Sequence, residues 1–256
     1  MATQAETAVY VYGILHGDVE LEAEVTGVGD PPTPVRLVRH RDLAALVSDV
    51  DLGKPLGTPE DLMAHEELLD ASATDAPVLP LRFGALVASE DAVASELLDP
   101  HYEEFQAALE DLEGHAEYVI KGRYIQDEIL REVLTEHPAA ADLASQVNGR
   151  DPVVSRDLQI QLGEIINEAI AEKRELDTRA LGDALEGHVS ASVVRPPTHE
   201  LDAVHAAFLI EARAEDALMR AVEELAGDWD GRVDVRVIGP IAAYDFVGTV
   251  SPGPEG

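Results

Sequence analysis

The sequence contains no cysteine, so disulfide bonds, thiolate catalysis and cysteine-ligated zinc sites are all excluded. Aromatic side chains make up only 4% of the residues, so a hydrophobic core must be filled mainly by Ala, Val, Leu and Ile. Apolar residues nevertheless reach 46%, which is enough to build two ordinary domains or one large one from 256 residues. The composition is therefore that of a folded protein, with a core built mainly from aliphatic side chains.

Basic side chains are also few. The 18 Lys and Arg stand against 51 Asp and Glu, which gives a formal net charge of −33. Binding to nucleic acid or to an anionic membrane surface requires clustered basic residues, so we expect neither as a partner. The acidic excess is spread over the whole chain, which is typical of a highly soluble or salt-adapted protein and excludes a single acidic tail.

Long apolar runs and a targeting segment are absent as well. No run approaches the length that spans a bilayer, and the first residues lack the basic and apolar regions of a secretory signal. We therefore expect a cytoplasmic protein.

No pattern of residues predicts a catalytic, cofactor or metal site. The nine histidines are scattered, and His65-Glu66-Glu67 does not form H-E-x-x-H because residue 69 is Leu. Gly27-Val28-Gly29 lies in a Pro-rich loop and not between a strand and a helix, so it predicts a turn. We expect no catalytic residues, no cofactor and no metal ion.

The hydrophobic patterns predict an α+β protein of two domains, the first over residues 1–113. This first domain is predicted to be a looser mixed α+β sheet domain with a role in partner binding. Its expected elements are a central strand at 8–15, a hairpin over 35–50, a helix with Thr58 as N-cap and Asp61 completing a capping box, a strand over 78–87 and two further helices.

The second domain is predicted over residues 114–250. Its order of strands and helices is that of a ferredoxin-like, split βαβ domain with an added helix, and the long helix spans 155–187. The stretch before this helix, as far as Asp151-Pro152, is rich in Pro, Ala and Gly and is assigned neither a helix nor a strand, and the last strand is expected to stop at Gly239-Pro240. Residues 251–256 are expected to form a mobile tail.

The segment V-L-P-L-R-F-G over residues 78–84 places Arg82 and Phe83 side by side in an apolar stretch, followed by Gly84. An arginine in such a setting must be either paired or exposed. Two interpretations stay open. In one, Arg82 is buried and bridges to an acid across the domains; in the other, Arg82, Phe83 and Gly84 form a partner-binding edge.

Tyr244 and Phe246 alternate with Asp245 just after Gly239-Pro240. One interpretation is that this tail folds back and caps the protein's own core. The other is that it forms a peptide-like edge used in assembly. The two interpretations are compatible, and Tyr244 and Phe246 join Arg82, Phe83 and Gly84 as candidate partner-binding residues.

Four segments in this order carry a resemblance to a known family: V-L-P-L-R-F-G at 78–84, E-Y-V-I-K at 117–121, A-F-L-I-E at 207–211 and G-P-I-A-A-Y-D-F-V at 239–247. They resemble the GvpF/GvpL family of gas vesicle accessory proteins over nearly the whole chain. One departure is Ile241-Ala242-Ala243, where the family usually carries Trp and prolines. If that segment contacts a partner, the contact has changed in this chain.

The resemblance implies two α+β domains, the second ferredoxin-like, and a non-enzymatic role in gas vesicle assembly. The expected partners are the hydrophobic shell protein GvpA and other gas vesicle accessory proteins, which the chain would bind as an adaptor or chaperone in the cytoplasm and at the gas vesicle. Such a binder should expose an apolar patch or an unpaired strand edge near Val78–Val87.

Two alternatives from other classes remain open. Ferredoxin-like sheets often bind ligands, so the chain could instead be a small-molecule-binding sensor or an enzyme. It could also be a minor structural component of the vesicle shell. A closed pocket with converging polar groups would favour the first alternative.

Overall fold

The computed structural model describes residues 7–21, 25–148 and 156–247 and shows an α+β chain with two antiparallel sheets. The chain forms two compact units, one from residues 1–117 with 239–256 and the other from Tyr118–Ile238. The boundary expected between residues 113 and 114 stays a prediction. The tail expected at residues 251–256 lies outside the described residues.

The first unit consists of a five-stranded sheet and its helices. The strands are ordered β2-β3-β1-β4, and β5 also pairs with β1. The elements are β1 (Thr7–His16), β2 (Arg36–His40), β3 (Leu43–Asp51), α1 (Pro59–Asp75), β4 (Val78–Pro80), β5 (Leu86–Val87), α2 (Glu90–Ala92), which continues as a π-helical turn (Val93–Leu98), and α3 (Tyr102–Leu112).

Strand β1 lies at the centre of this sheet because both of its faces are apolar. It pairs antiparallel with β3 on one edge and with β4 and β5 on the other. Residues 8–15 are all buried, which confirms the predicted central strand. Tyr10 and Tyr12 are fully buried, and their ring centroids are 4.8 Å apart.

The strand predicted over 78–87 is interrupted, so that prediction was wrong in part. Strands β4 and β5 are short, and a tight turn joins them. Gly84 in this turn has a φ of 89°, a conformation that residues with side chains rarely adopt. Strand β4 ends the sheet, so Pro80 lies on an edge strand, where its missing N–H is tolerated.

Thr58 caps α1 as predicted, and Asp61 completes the capping box. The buried Asp61 carboxylate accepts hydrogen bonds from the backbone N–H groups of Gly29 at 2.8 Å and of Gly57 and Thr58 at 3.0 Å. Burial raises the pKa of Asp61, but these hydrogen bonds outweigh it and hold the pKa below its ordinary value. The Asp61 carboxylate therefore links both the loop that contains Gly29 and the segment just before α1 to the first turn of the helix.

The second unit carries a four-stranded sheet in the order β7-β8-β6-β9. Strands β7 and β8 are antiparallel, with Ala191 opposite Leu209. The elements are β6 (His115–Tyr124), whose first residues belong to the first unit, α4 (Gln126–Glu136), α5 (Pro138–Val147), α6 (Arg156–Leu185), β7 (Ala191–Val194), β8 (Asp202–Glu211), a 3-10 turn (Ala212–Ala214), α7 (Glu215–Asp228) and β9 (Val233–Ile241).

The second half differs from its sequence prediction at two places, a helix that was not predicted and a strand end that was predicted wrongly. The Pro-, Ala- and Gly-rich stretch contains helix α5, because Pro138 suits the first helical position and the alanines after it favour a helix. The last strand also does not stop at Gly239-Pro240 but runs to Ile241. Since β9 is an edge strand, Pro240 can lie in it without breaking the ladder.

A partly buried set of charges joins α4, α6 and the segment before β9. The Arg232 guanidinium donates to both carboxylate oxygens of Asp177, at 3.0 and 2.9 Å, and to Glu132 at 2.9 Å. Lys173 donates to Glu132 at 2.5 Å, and the Tyr124 hydroxyl donates to Asp177 at 2.5 Å. These bonds hold α6 in a defined position against its neighbours within the unit. Within residues 7–21, 25–148 and 156–247, no helix combines the length and apolarity needed to cross a membrane.

Replacing Asp61 with Ala should lower the free energy of unfolding by about 2 kcal/mol, because it leaves several N–H groups without their acceptor. Since the pKa of Asp61 is lowered in the folded state, this contribution is present above the ordinary carboxyl pKa and is lost as the pH falls through the folded value. Urea unfolding at neutral and acidic pH measures both effects. Glu110→Ala on the exposed face of α3 is the matched control, and equal losses in the two variants would contradict the capping role.

Candidate functional site

The turn between β4 and β5 contains the three predicted residues Arg82, Phe83 and Gly84. The Ala85 N–H donates to the Arg82 carbonyl at 3.3 Å and closes the turn. A Cβ added to Gly84 would meet nothing within 4 Å, so glycine is required there by its positive φ and not by crowding. We call this segment, residues 82–85, the RFG turn.

The RFG turn is anchored to the core by an aromatic cluster. The Phe83 ring lies 5.7 Å from the Tyr10 ring and 5.5 Å from the His65 ring, both at steep angles. Edge-to-face contacts of this kind favour a fixed arrangement. The Tyr10 hydroxyl accepts a hydrogen bond from the Gly84 N–H at 3.1 Å, so packing and hydrogen bonding fix the same turn.

The Tyr10 hydroxyl also lies 2.9 Å from Nδ1 of His65 on α1. Burial raises the pKa of Tyr10, so the hydroxyl stays protonated and donates to His65. Burial lowers the pKa of His65 to about 4, against an opposing effect of the Leu81 backbone, so the imidazole is neutral at pH 7. The histidine therefore accepts at Nδ1 and acts as a core residue of the cluster.

Arg82 is exposed, and it forms no ion pair or side-chain hydrogen bond within the part of the chain that the structure describes. The interpretation that Arg82 is buried and bridges to an acid is therefore wrong. A rigid support thus presents an unpaired positive charge to solvent.

The second predicted segment, residues 242–247, packs against the first unit. Ala242 is fully buried in the same core cluster as Tyr10, and its N–H donates to Asp70 on α1 at 2.9 Å. The Asp245 N–H donates to Glu117 at 3.1 Å. The tail therefore caps the core of the first unit, as one of the two interpretations expected.

Tyr244 and Phe246 are half-buried in this segment. Tyr244 packs against the core cluster that contains Tyr10, and its hydroxyl is buried without a hydrogen-bonding partner among the described residues. Burial raises the pKa of Tyr244, and the charges of Asp70 and Glu66 raise it further. The structure thus brings Phe83 and Tyr244 to one core, while Arg82 faces solvent.

The surface near Val78–Val87 is less apolar than expected. Of its large apolar side chains only Leu86 is exposed, at 37%, because the rest pack into the sheet or the core. Strand β4 ends the sheet, but its three residues are all buried, so the feature that this region presents to a partner is the RFG turn. A partner contact here therefore relies on charge more than on apolar area.

A groove of about 760 Å³ lies beside α1 in the first unit, between the helix and the loop over residues 25–32. Asp61 lines it, but its carboxylate is committed to the capping hydrogen bonds. In the part of the chain the structure covers, no group of three His, Asp or Glu side chains could hold a metal ion.

Sequence reasoning missed the partners of the RFG turn. Tyr10 and His65 were not singled out, although the Y-V-Y alternation in β1 places two tyrosines on one face of a buried strand. It also missed a groove in the second unit where Arg174, Arg179 and Arg195 come together. No local pattern joins these arginines, because they lie on α6 and just after β7.

Comparison with known proteins identifies the class as gas vesicle proteins. The chain is 32% identical over 244 residues to gas vesicle protein F of Streptomyces sp. (strain CB03234), covering 94% of this chain and 99% of that protein. It is 25% identical to gas vesicle protein F of Dolichospermum flosaquae, and the match covers 93% of this chain and 96% of that protein. The family described as gas vesicle synthesis protein GvpL/GvpF matches residues 8–248, and the chain belongs to this family.

Two crystal structures share the fold. GvpF from Anabaena sp. PCC7120 superposes with a TM-score of 0.77 at 23% identity, covering 95% of this chain and 99% of that one. GvpF from Microcystis aeruginosa gives a TM-score of 0.74 at 21% identity, covering 93% and 98%. The α+β architecture described above is therefore that of known GvpF structures.

His65 should make stability depend on pH. Its folded pKa of about 4 lies below the ordinary 6.5, so its contribution is complete above pH 6.5 and is lost as the pH falls through that window. The loss by pH 4 is about 3 kcal/mol. His65→Asn, which can still accept from Tyr10, should flatten the stability curve between these pH values in urea titrations. The exposed His188→Asn is the control, and an unchanged slope in His65→Asn would refute the assignment.

The hydroxyls of Tyr10 and Tyr244 should differ in their contribution to the stability of the fold. Tyr10→Phe removes a buried hydroxyl that bonds both His65 and Gly84, so it should cost about 2 kcal/mol. Tyr244→Phe removes a hydroxyl without a partner among the described residues, so it should change stability by less than about 0.5 kcal/mol or increase it. Thermal and urea unfolding of both variants measure the difference, and a larger loss in Tyr244→Phe would contradict the structure.

Proposed function

We propose that this chain is a non-enzymatic accessory protein of gas vesicle assembly that binds the hydrophobic shell protein GvpA as an adaptor or chaperone. The observation that carries this proposal is the RFG turn, which holds an unpaired Arg82 in solvent on a rigid aromatic support. The membership in the GvpL/GvpF family gives the biological setting.

The rigidity of the RFG turn supports a binding role. A contact residue that is already fixed loses little conformational freedom when a partner binds, so more of the interaction energy appears as affinity. Arg82 can donate several hydrogen bonds at once to a carboxylate or to backbone carbonyls.

The chemistry of the buried groups supports a non-enzymatic role. His65, Tyr10 and Asp61 have perturbed pKa values, but each is explained by a structural contact. His65 and Tyr10 bond each other within the core, and Asp61 caps α1. Perturbed groups at a catalytic site would instead converge on a cleft that a substrate can enter.

The strand order supports a ferredoxin-like second domain, with its start near residue 114. The chain order β6, α6, β7, β8, α7, β9 and the spatial order β7-β8-β6-β9 correspond to a split βαβ arrangement, with α4 and α5 inserted after the first strand. In this proposal the protein acts in the cytoplasm and contacts other gas vesicle accessory proteins as well as GvpA.

Co-expression of the tagged chain with GvpA should retain GvpA in a pull-down, and Arg82→Glu should reduce the recovered GvpA by about tenfold. Arg82→Lys keeps the charge but loses the planar donor fork, so it should give an intermediate result. Arg220→Glu, an exposed arginine on α7, is the matched control.

Failure of the wild-type chain to retain GvpA would overturn the proposed function. Retention that is equal in Arg82→Glu and wild type would move the binding surface away from the RFG turn. Analysis of washed vesicles separates a transient helper, which is absent from them, from a minor shell component, which is retained.

A further inference from the structure

The sheet of the second unit ends at β7, whose outer edge is free of any described strand. The Arg195 N–H donates to the His205 carbonyl at 2.8 Å, and Val193 lies opposite Ala207 in the same register. Along a strand of an antiparallel pair, the backbone N–H and C=O groups of alternate residues bond to the partner strand, and those of the residues between them point away from it. The backbone groups of Ser192 and Val194 therefore face away from β8, at the free edge.

This edge borders a groove of about 730 Å³ between β7 and α6. Val194 and Val204 contribute apolar surface to it, and Pro196 and Pro197 close one end. Val194 is 64% exposed. Apolar side chains with so much exposed surface gain free energy when another chain covers them.

The charge of the groove is opposite to that of the protein as a whole. Arg174, Arg179 and Arg195 line it in a chain whose net charge is −33. Arg174 donates to the backbone carbonyls of Asp202 and Glu200. Arg179 is exposed and has no ion pair within residues 7–21, 25–148 and 156–247.

Two acids line the groove beside these arginines, and one of them is already paired. Asp202 accepts hydrogen bonds from the Thr198 and His199 N–H groups and pairs with Arg123, so its carboxylate is already satisfied. Glu175 is the other acidic side chain in the lining. A carboxylate of a bound segment would therefore meet the exposed guanidinium of Arg179.

We propose that the free edge of β7 binds an extended segment of another protein in which apolar and acidic side chains alternate. The segment would add a strand to the sheet through the outward backbone groups of Ser192 and Val194. One set of its side chains would cover Val194, and a carboxylate of the segment would pair with Arg179. This surface lies in the second unit and does not depend on the RFG turn.

A second copy of this chain fits the edge poorly. Pairing two β7 strands would bring the arginines of both copies to one interface and would join two molecules of charge −33. Like charges set opposite each other across a sheet are destabilising. The complementary occupant is an acidic strand of a different protein.

A fluorescent, end-capped peptide of about eight residues with alternating Val and Glu is the probe, since a strand of that length covers β7. Fluorescence anisotropy should show binding of this peptide and none of an alternating Val and Lys peptide. Arg179→Glu should weaken binding by about tenfold, and raised salt should weaken binding to the wild type. Arg220→Glu should bind like wild type.

The hydrogen-bonding mode has its own readout. Val194→Pro removes the outward N–H and should weaken binding by about tenfold or more. Alternate N–H groups of a bound peptide strand face β7. N-methylation of that set of peptide residues should abolish binding, and N-methylation of the other set should leave binding intact, without any change to the protein. Equal binding of the Lys peptide, or normal binding by Arg179→Glu, would overturn the proposal. A dimer in sedimentation that Val194→Pro dissociates would also overturn it.

Discussion

The hydroxyl of Tyr10 is the contact on which the arrangement of the first unit depends. It donates to His65 on α1 and accepts from Gly84 in the RFG turn, so one oxygen joins the central strand, a helix and a turn. Because this oxygen is buried, the loss of one partner leaves a polar group unsatisfied, which costs about 1–3 kcal/mol. The Phe83 ring packs on the same tyrosine. In the same turn, the Arg82 side chain is exposed.

The excess of acidic residues makes the position of each arginine informative. Arg232 forms ion pairs with Asp177 and Glu132, and these ion pairs join three elements within the second unit. Arg36 is similarly neutralised by nearby acids in the first unit. Arg82 and Arg179 differ, because they are exposed and form no ion pair within the described residues. Both proposals place an incoming carboxylate or carbonyl at such an arginine.

Much of the fold followed from patterns that span only a few residues. The apolar run of β1, the Thr58 capping box and the long stripe of α6 were predicted because each depends on neighbours along the chain. The predictions failed where a distant contact or an edge position decides the outcome. The strand over 78–87 breaks at a turn fixed by Tyr10, and β9 continues through Pro240 because it lies at a sheet edge.

Composition, periodicity and ordered motifs are properties of the linear chain, so they were sufficient to predict the class of fold, the family and the absence of cysteine chemistry. Which side chains meet depends instead on the folded arrangement. Tyr10 bonds residues 55 and 74 positions away, and the Ala242 N–H bonds an acid 172 positions earlier. The same packing exposed Arg82 and gathered three arginines beside β7. Folding brings such residues together through the burial of apolar surface, which fixes distances that no local spacing encodes.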